Sequence, residues 1–403
     1  MISDRIGLTG LAETVFYVCL AFVVYVYAIY PLLIWACARR WGRNLPAPAM
    51  RDADLPTLSL LIAAHNEESV IGRRLQNALS LDFPRDKLQI VVASDGSTDK
   101  TADIVRSFAD QGVLLLDFPR NRGKTAALNA AWSQLTGDVV LLSDANTSIE
   151  PSAPRRLARW FSDPDIGAVC GRLVLTDPQS GRNADGLYWR YETFLKRCEA
   201  RLGALLGANG AIYAVRRTAH SGIPPETIID DFVIPLRITI ETGRRLLYDE
   251  EAVAHEETPG EIHDEFRRRV RIGTGGFQSM RHIWPLLHPR YGWLALSLVS
   301  HKFLRWLCPF FLLGELVANL CLCNHVFYYA LFMAQMAFLA LAAHGTRLSG
   351  RGHFVKLARL SAMFSAMNLA LFVGFVYWLL GRYGGVWTPT SNLKGCATAD
   401  PSC

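Results

Sequence analysis

The chain has 403 residues, 51% of them hydrophobic and 19% charged, with a net charge of +6. Soluble globular chains carry about a quarter charged residues, so this composition excludes an all-soluble chain and calls for apolar segments covered by something other than a core. The excess positive charge is small and gathers at the edges of apolar runs, which suits anionic headgroups better than nucleic acid, and no nucleic-acid motif is present.

The first element is an apolar run from Ala12 to Ala38 in which Glu13 is the only charge. About 20 such residues cross a bilayer. The run is longer than the apolar region of a signal peptide, and its basic residues, Arg39, Arg40 and Arg43, follow it rather than precede it. Four short apolar runs come next, at Leu58–Ala63, Leu88–Ser94, Val113–Asp117 and Val139–Ser143. Helix-like stretches separate them, at Glu67–Leu81, Thr98–Phe108 and Lys124–Leu135. Buried strands alternating with helices predict an α/β domain, a mostly parallel sheet with helices on both faces. Three further apolar segments close the chain: Leu294–Leu322, Val326–Ala343 and Leu360–Leu380. The first holds His301, Lys302, Arg305 and Glu315, so its first half reads as interfacial and its second half as spanning.

This predicts about four transmembrane helices and four regions. Residues 1–45 hold the N-terminal span, 46–260 the soluble domain, 261–290 basic interfacial helices, and 291–403 the C-terminal spans and an outer tail. Orientation follows the placement of Lys and Arg. Arg39, Arg40 and Arg43 after the first span, and Arg347, Arg351, Lys356 and Arg359 between the last two, both fall inside if the N- and C-termini lie outside. The expectation is an integral protein of a plasma or bacterial inner membrane with a cytoplasmic central domain. The nine cysteines form no CxxC pair and no zinc set. Cys19, Cys37 and Cys308 read as small apolar residues, and Cys396 and Cys403 fall on the outer side, where a disulfide is chemically permitted.

In open α/β sheets, ligands bind beyond the carboxyl ends of the strands. The residues there are His65-Asn66-Glu67, Asp95-Gly96-Ser97, Asn121-Arg122-Gly123-Lys124 and Asp144-Ala145-Asn146. Asp95 and Gly96 suit either a strand-turn-helix cap or a pocket in which Asp95 accepts from a nucleotide base or ribose. Arg122 and Lys124 ahead of a helix make either an anion site or a solvated basic loop. Asp144 and Asn146 offer two hard oxygens two residues apart, suited to Mg²⁺ or Mn²⁺ beside a diphosphate, or form a plain turn. Asp230-Asp231 is either a helix cap or a paired-carboxylate site. Arg267 to Arg271 is either a diphosphate clamp or a membrane-surface patch. Tyr188-Trp189 supplies an aromatic sugar platform or interface aromatics.

Taken in order, these residues resemble the family 2 inverting glycosyltransferases, above all the membrane-bound branch containing cellulose, chitin, hyaluronan and poly-N-acetylglucosamine synthases. The resemblance covers about residues 55 to 285 and the flanking spans. It implies a GT-A-like domain, with Ala64-His65-Asn66-Glu67 as the opening segment and Asp95 as the first acid. Asn121-Arg122-Gly123-Lys124 is similar to the nucleotide-contacting loop, and Asp144-Ala145-Asn146 to the DxD metal motif, with Asn in place of the second Asp. Gly207 to Tyr213 resembles the acceptor loop, through Asn209 and Gly210. Ile229-Asp230-Asp231 is similar to the TED-type motif, with Asp231 in the base position. Arg268 to Ile272 resembles QxxRW, of which Arg271 is retained.

The resemblance implies a nucleotide-sugar donor, with UDP expected, a saccharide or lipid-linked acceptor, and a divalent ion held by Asp144 and Asn146. Asp231 would be the base beside Asp230, with Arg271 and Arg268 adding positive charge at the leaving group. A growing polysaccharide is the expected acceptor, and a single addition to a lipid carrier or membrane lipid is the alternative. Ile272 in place of Trp weakens the case for a polymer leaving through this chain alone and leaves room for an export partner protein.

Overall fold

The computed structural model describes residues 2–49, 51–176, 186–257, 262–345 and 352–382. Cys396 and Cys403 lie outside them. Two compact units result. One is helical and comprises Met1–Ala36, Glu265–Phe277 and Leu298–Tyr383; the other comprises Cys37–Asp264 and Gln278–Ser297 and is built on a sheet.

The sheet has eight strands: β1 (Leu58–Ala64), β2 (Leu88–Asp95), β3 (Val113–Phe118), β4 (Val139–Asp144), β5 (Ser148–Ile149), β6 (Ile166–Thr176), β7 (Tyr213–Arg216) and β8 (Arg245–Glu257). Their order is β3-β2-β1-β4-β7-β6-β8-β5. The first four, all expected from the sequence, pair in parallel, with Leu58 opposite both Leu88 and Val139. Every residue of β1 is buried, as a central strand covered on both faces requires. The sequence reading assigns none of the remaining strands. There β7 runs antiparallel to β4 and β6, β6 is parallel to β8, and β5 is antiparallel to β8.

The core runs through both halves, from Leu60, Ile62, Ile90 and Val92 to Leu141, Val169, Ile212 and Ala214. β1 is flanked by β2 and β4, both reached by crossovers, so the strand order reverses there and a crevice opens at the carboxyl ends. The register places Ala63 opposite Asp144 and Ala64 opposite Ser94. His65, Asp95 and Asp144 therefore emerge side by side.

Four helical stretches are long and apolar enough to cross a membrane: Thr9–Trp41, Trp293–Cys321, Val326–Gly345 and His353–Leu379. The first two pack closely, with the Phe22 and Phe311 rings stacked at 3.6 Å. Each carries one π-helical turn, Tyr25–Ile29 and Leu298–Phe303, and the two turns are joined by Tyr25 Oη and Ser300 Oγ at 2.8 Å.

Candidate active site

The loops after β1, β2 and β3 form one hydrogen-bonded network. Asp95 is fully buried, and its carboxylate accepts the backbone N–H groups of Arg122, at 3.0 and 3.1 Å, and Gly123, at 2.8 Å. His65 Nδ1 lies 2.8 Å from the Asp95 carbonyl and Nε2 lies 3.0 Å from Asn121 Nδ2. Only the Nδ1–H tautomer satisfies both contacts, since a carbonyl accepts and an amide nitrogen donates. Asn66 takes a left-handed φ of 54°, which Asn tolerates better than most residues, and its Oδ1 accepts from the Thr98 amide at 2.8 Å. Gly96, at φ 65°, lies so close to the Arg120–Asn121 backbone that any Cβ would collide with it. The Arg122 guanidinium lies 4.5 Å from the Phe118 ring centroid. The loop at 121–124 is thus held in place by Asp95, His65 and Gly96.

The charged centre joins three segments. Lys124 Nζ donates to Asp144 Oδ1 at 2.7 Å and lies 3.3 Å from Asp230 Oδ1. Burial opposes the ammonium charge, but Asp144, Asp230 and Asp231 outweigh it and hold the lysine well above its ordinary range. Asp230 is buried and also accepts from the Tyr213 phenol at 3.3 Å. Burial and the same carboxylates keep that phenol protonated far above its usual range. Asp231 is pushed up to about 6 by burial and by Asp230 and Asp144, with Lys124 and Lys196 pulling the other way. Glu67, also buried, is pushed up to about 7 by burial and by Asp144 and Asp99. Both aspartates occupy the first turn of the helix Asp230–Thr242, where the helix dipole favours negative charge.

That helix contains Pro235. A proline has no N–H for the carbonyl four residues back, which here is the carbonyl of Asp231. The Ala208 N–H donates to it instead, at 2.9 Å. The loop Gly207–Gly210 is thereby anchored on the Asp231 backbone. Gly210 also lies against Asp144: a Cβ there would sit 2.8 Å from Asp144 Oδ2 and 3.6 Å from Lys124 Nζ.

The sequence-predicted residues divide into those at this centre and those elsewhere. His65, Glu67, Asp95, Gly96, Arg122, Lys124, Asp144, Gly210, Asp230 and Asp231 lie in or against the network. The Asn209 amide ties its loop to β6, donating to the Gly171 carbonyl at 2.9 Å and accepting from the Ile212 N–H at 3.1 Å. The Trp189 indole packs on the core, its N–H 3.4 Å from the Leu173 carbonyl, and Tyr188 is half-buried on the same helix, Leu187–Arg201. Arg268 and Arg271 belong to the part of the helix Ile262–Ile283 that lies in the helical unit; Arg271 is exposed and Arg268 half-buried.

Four contributors were given no role of their own by the sequence reading: Tyr213, Pro235, Arg74 and Gln278. Buried Arg74 donates to Asn77 Oδ1 at 3.1 Å and contacts the Asp144 carbonyl at 3.4 Å, which steadies the turn behind Asp144. Buried Gln278 accepts from the Ile228 N–H at 3.0 Å and donates to the Glu226 carbonyl at 2.8 Å, strapping the segment that leads into Asp230. A proline five residues into a helix was the one local signal available. The other three depend on contacts between residues distant in sequence.

A divalent ion fits this donor set only as a shared ligand. Asp144 Oδ2 has no protein donor among the described residues, and Asn146 is exposed two positions on. Among the described residues, no group of three or more His, Cys, Asp or Glu side chains is arranged to hold a metal. Hard cations of this kind commonly complete their shell with substrate phosphate oxygens and water.

Residues 59–220 match the family model for glycosyl transferase family 2. Over 265 residues the chain is 27% identical to a beta-monoglucosyldiacylglycerol synthase of Synechocystis, covering 63% of this chain and 55% of the relative. Over 246 residues it is 26% identical to the poly-beta-1,6-N-acetyl-D-glucosamine synthase of Staphylococcus aureus, covering 58% of each. The chain spans about half to two thirds of these relatives. Among solved structures it is similar to a mannosyltransferase of Pyrobaculum calidifontis in complex with GDP-Man and Mn²⁺, with a TM-score of 0.71, 22% identity, and coverage of 91% of this chain and 99% of that one. That likeness shows the fold, a GT-A-like domain accompanied here by four candidate membrane spans. The sheet unit of this chain contains a glycosyl transferase family 2 domain.

Proposed function

We propose that the chain transfers a sugar from a nucleotide sugar to a hydroxyl acceptor in a single inverting displacement. The observation that carries this reading is the convergence of Asp231, Asp230, Asp144 and Lys124 at the end of the strand crevice, beneath the Gly207–Gly210 loop. The network of Asp95, His65 and Asn121 presents the backbone and basic side chains of residues 121–124 to the donor. Asp95 acts by shaping that loop, since its carboxylate is occupied by two backbone amides. Asp144 and Asn146 would hold Mg²⁺ or Mn²⁺ together with donor phosphate oxygens, and the ion would supply Lewis-acid stabilisation of the leaving diphosphate. Lys124 adds positive charge at the same place. Asp231 accepts the proton of the attacking hydroxyl. An α-linked donor would give a β-linked product.

UDP is the expected nucleotide, on the strength of the family resemblance. The preferred acceptor is a growing polysaccharide, as the name of the staphylococcal relative suggests. Ile272, where the synthase motif has Trp, favours the second reading, one sugar added to a membrane lipid, as the name of the cyanobacterial relative suggests. We place the sheet unit in the cytoplasm, following the basic loops.

The test is Asp231→Asn in purified membranes supplied with labelled nucleotide sugars. A positioned general base contributes roughly 10²–10⁴-fold, so transfer should fall by about that factor. Near-normal transfer would remove Asp231 from the base role. A base must be unprotonated to act, so wild-type transfer should rise as pH increases through about 6.

A further inference from the structure

Lys196, on the helix Leu187–Arg201, acts on the Asp231 carboxyl without a hydrogen bond to the network described above. It is half-buried, and its surroundings are unlike those of Lys124. Nζ lies 3.4 Å from the Cys170 sulfur and 5.2 Å from the centroid of the Tyr248 ring. Cys170 is fully buried, and burial pushes its thiol up, so the sulfur is neutral. Among the described residues, no carboxylate forms an ion pair with Lys196.

An ammonium is strongly hydrated and has three donors to satisfy. A neutral thiol and an aromatic face attract it weakly and do not balance its charge. The lysine nevertheless shares its Cys170 contact with the acceptor loop. Asn209 Nδ2 reaches the same Cys170 sulfur at 3.3 Å, and the neighbouring Ala208 N–H holds the Asp231 carbonyl at 2.9 Å. A cation with no direct ion pair among the described residues thus stands beside the loop anchored on Asp231, close enough to act on that carboxyl.

Resting on the transferase reading, we propose that Lys196 binds a negatively charged group of the acceptor, a phosphate or a carboxylate, next to the hydroxyl that Asp231 deprotonates. The acceptor class is therefore anionic. The charge could come from a lipid phosphodiester or from a uronic acid on a glycan.

The experiment compares matched probes on the full chain in detergent, with binding read by native mass spectrometry. Phosphatidylglycerol, with hydroxyls beside a phosphodiester, is set against diacylglycerol, with a hydroxyl and no charge. A glucuronate-terminated oligosaccharide is set against its glucose-terminated counterpart. The wild type should prefer one anionic probe over its neutral partner, and the preferred pair identifies the source of the charge. Lys196→Gln should weaken that probe roughly tenfold or more, the ordinary cost of losing a charge-assisted hydrogen bond, while Lys196→Arg keeps the preference. The proposal is overturned if the wild type prefers neither anionic probe. It is also overturned if Lys196→Gln leaves the preference unchanged, or weakens charged and neutral probes equally, as a purely structural lysine would. Donor turnover on the same samples tests the transferase reading separately, since binding preference does not depend on turnover.

Discussion

The two halves of the sheet solve the same problem in different ways. In the parallel half, each contribution to the site follows directly from the end of its own strand: His65 after β1, Gly96 after β2, and Asp144 at the end of β4. In the antiparallel half, the contributions come from a loop and a helix start: Gly207–Gly210 before β7, and Asp230-Asp231 between β7 and β8. The first arrangement is set by crossover topology, which delivers every parallel strand to the same edge. The second depends on individual contacts, such as the Ala208 bond to Asp231 and the Gln278 strap. Sites on the parallel half should resist substitution of single supporting groups better than sites on the antiparallel half, unless the substituted atom lies where the two halves meet.

Gly210 is such a place, and its substitution should have the largest effect. An alanine Cβ would come within 2.8 Å of Asp144 Oδ2, so the carboxylate or the loop must shift. A displacement of about 1 Å at a reacting centre costs roughly 10²-fold. Gly210→Ala should lower transfer by about that factor with little change in thermal stability. If transfer stays near normal, the two halves do not meet at this atom in the working enzyme.

The same division explains what could be read in advance. The four strands of the parallel half and their strand-end residues were visible because buried parallel strands are short, wholly apolar runs that end in polar residues. The spans were visible for a related reason, their length and uniform apolarity. The antiparallel half is harder to read: β6 is broken by Gly171 and Arg172, β8 mixes acidic and apolar residues in no regular order, and β5 has only two residues. The aspartate pair was found by chemistry, since adjacent carboxylates ahead of an apolar stretch are conspicuous. Its supports were not, because Tyr213, Gln278 and Arg74 reach the site only after folding. Asn209 and Trp189 looked suited to sugar, but the fold uses the amide to close the loop and the indole to cover the core.

Glu67 tests whether the parallel half trades stability for its site. Its carboxyl is pushed up to about 7, from an ordinary value of 4.5, by burial and by Asp144. Over that interval the folded chain binds more protons than the unfolded chain, so this group's contribution to stability falls as pH rises from about 4.5 to 7 and stays low above. The amide of Glu67→Gln does not ionise. The variant should therefore match the wild type near pH 4 and exceed it near pH 8 by on the order of 1–3 kcal/mol. Thermal unfolding of the full chain at the two pH values measures the gap, and equal midpoints at pH 8 would mean that the carboxylate is solvated in the native state.

Pro235 makes the smallest prediction, and it isolates the antiparallel half. A proline in a helix interior costs about 3 kcal/mol relative to alanine, yet at this position it keeps the Asp231 carbonyl out of the helix ladder, so that Ala208 can donate to it. In Pro235→Ala, the new N–H competes with Ala208 for that oxygen. The helix should gain stability while the Gly207–Gly210 loop loosens above the base. The expected result is an unfolding midpoint equal to or above that of the wild type, with transfer lowered about three- to tenfold. A structural defect would move both quantities down together, whereas release of the acceptor loop moves them apart. The opposite signs would show that the proline holds the loop over Asp231 at the expense of helix stability.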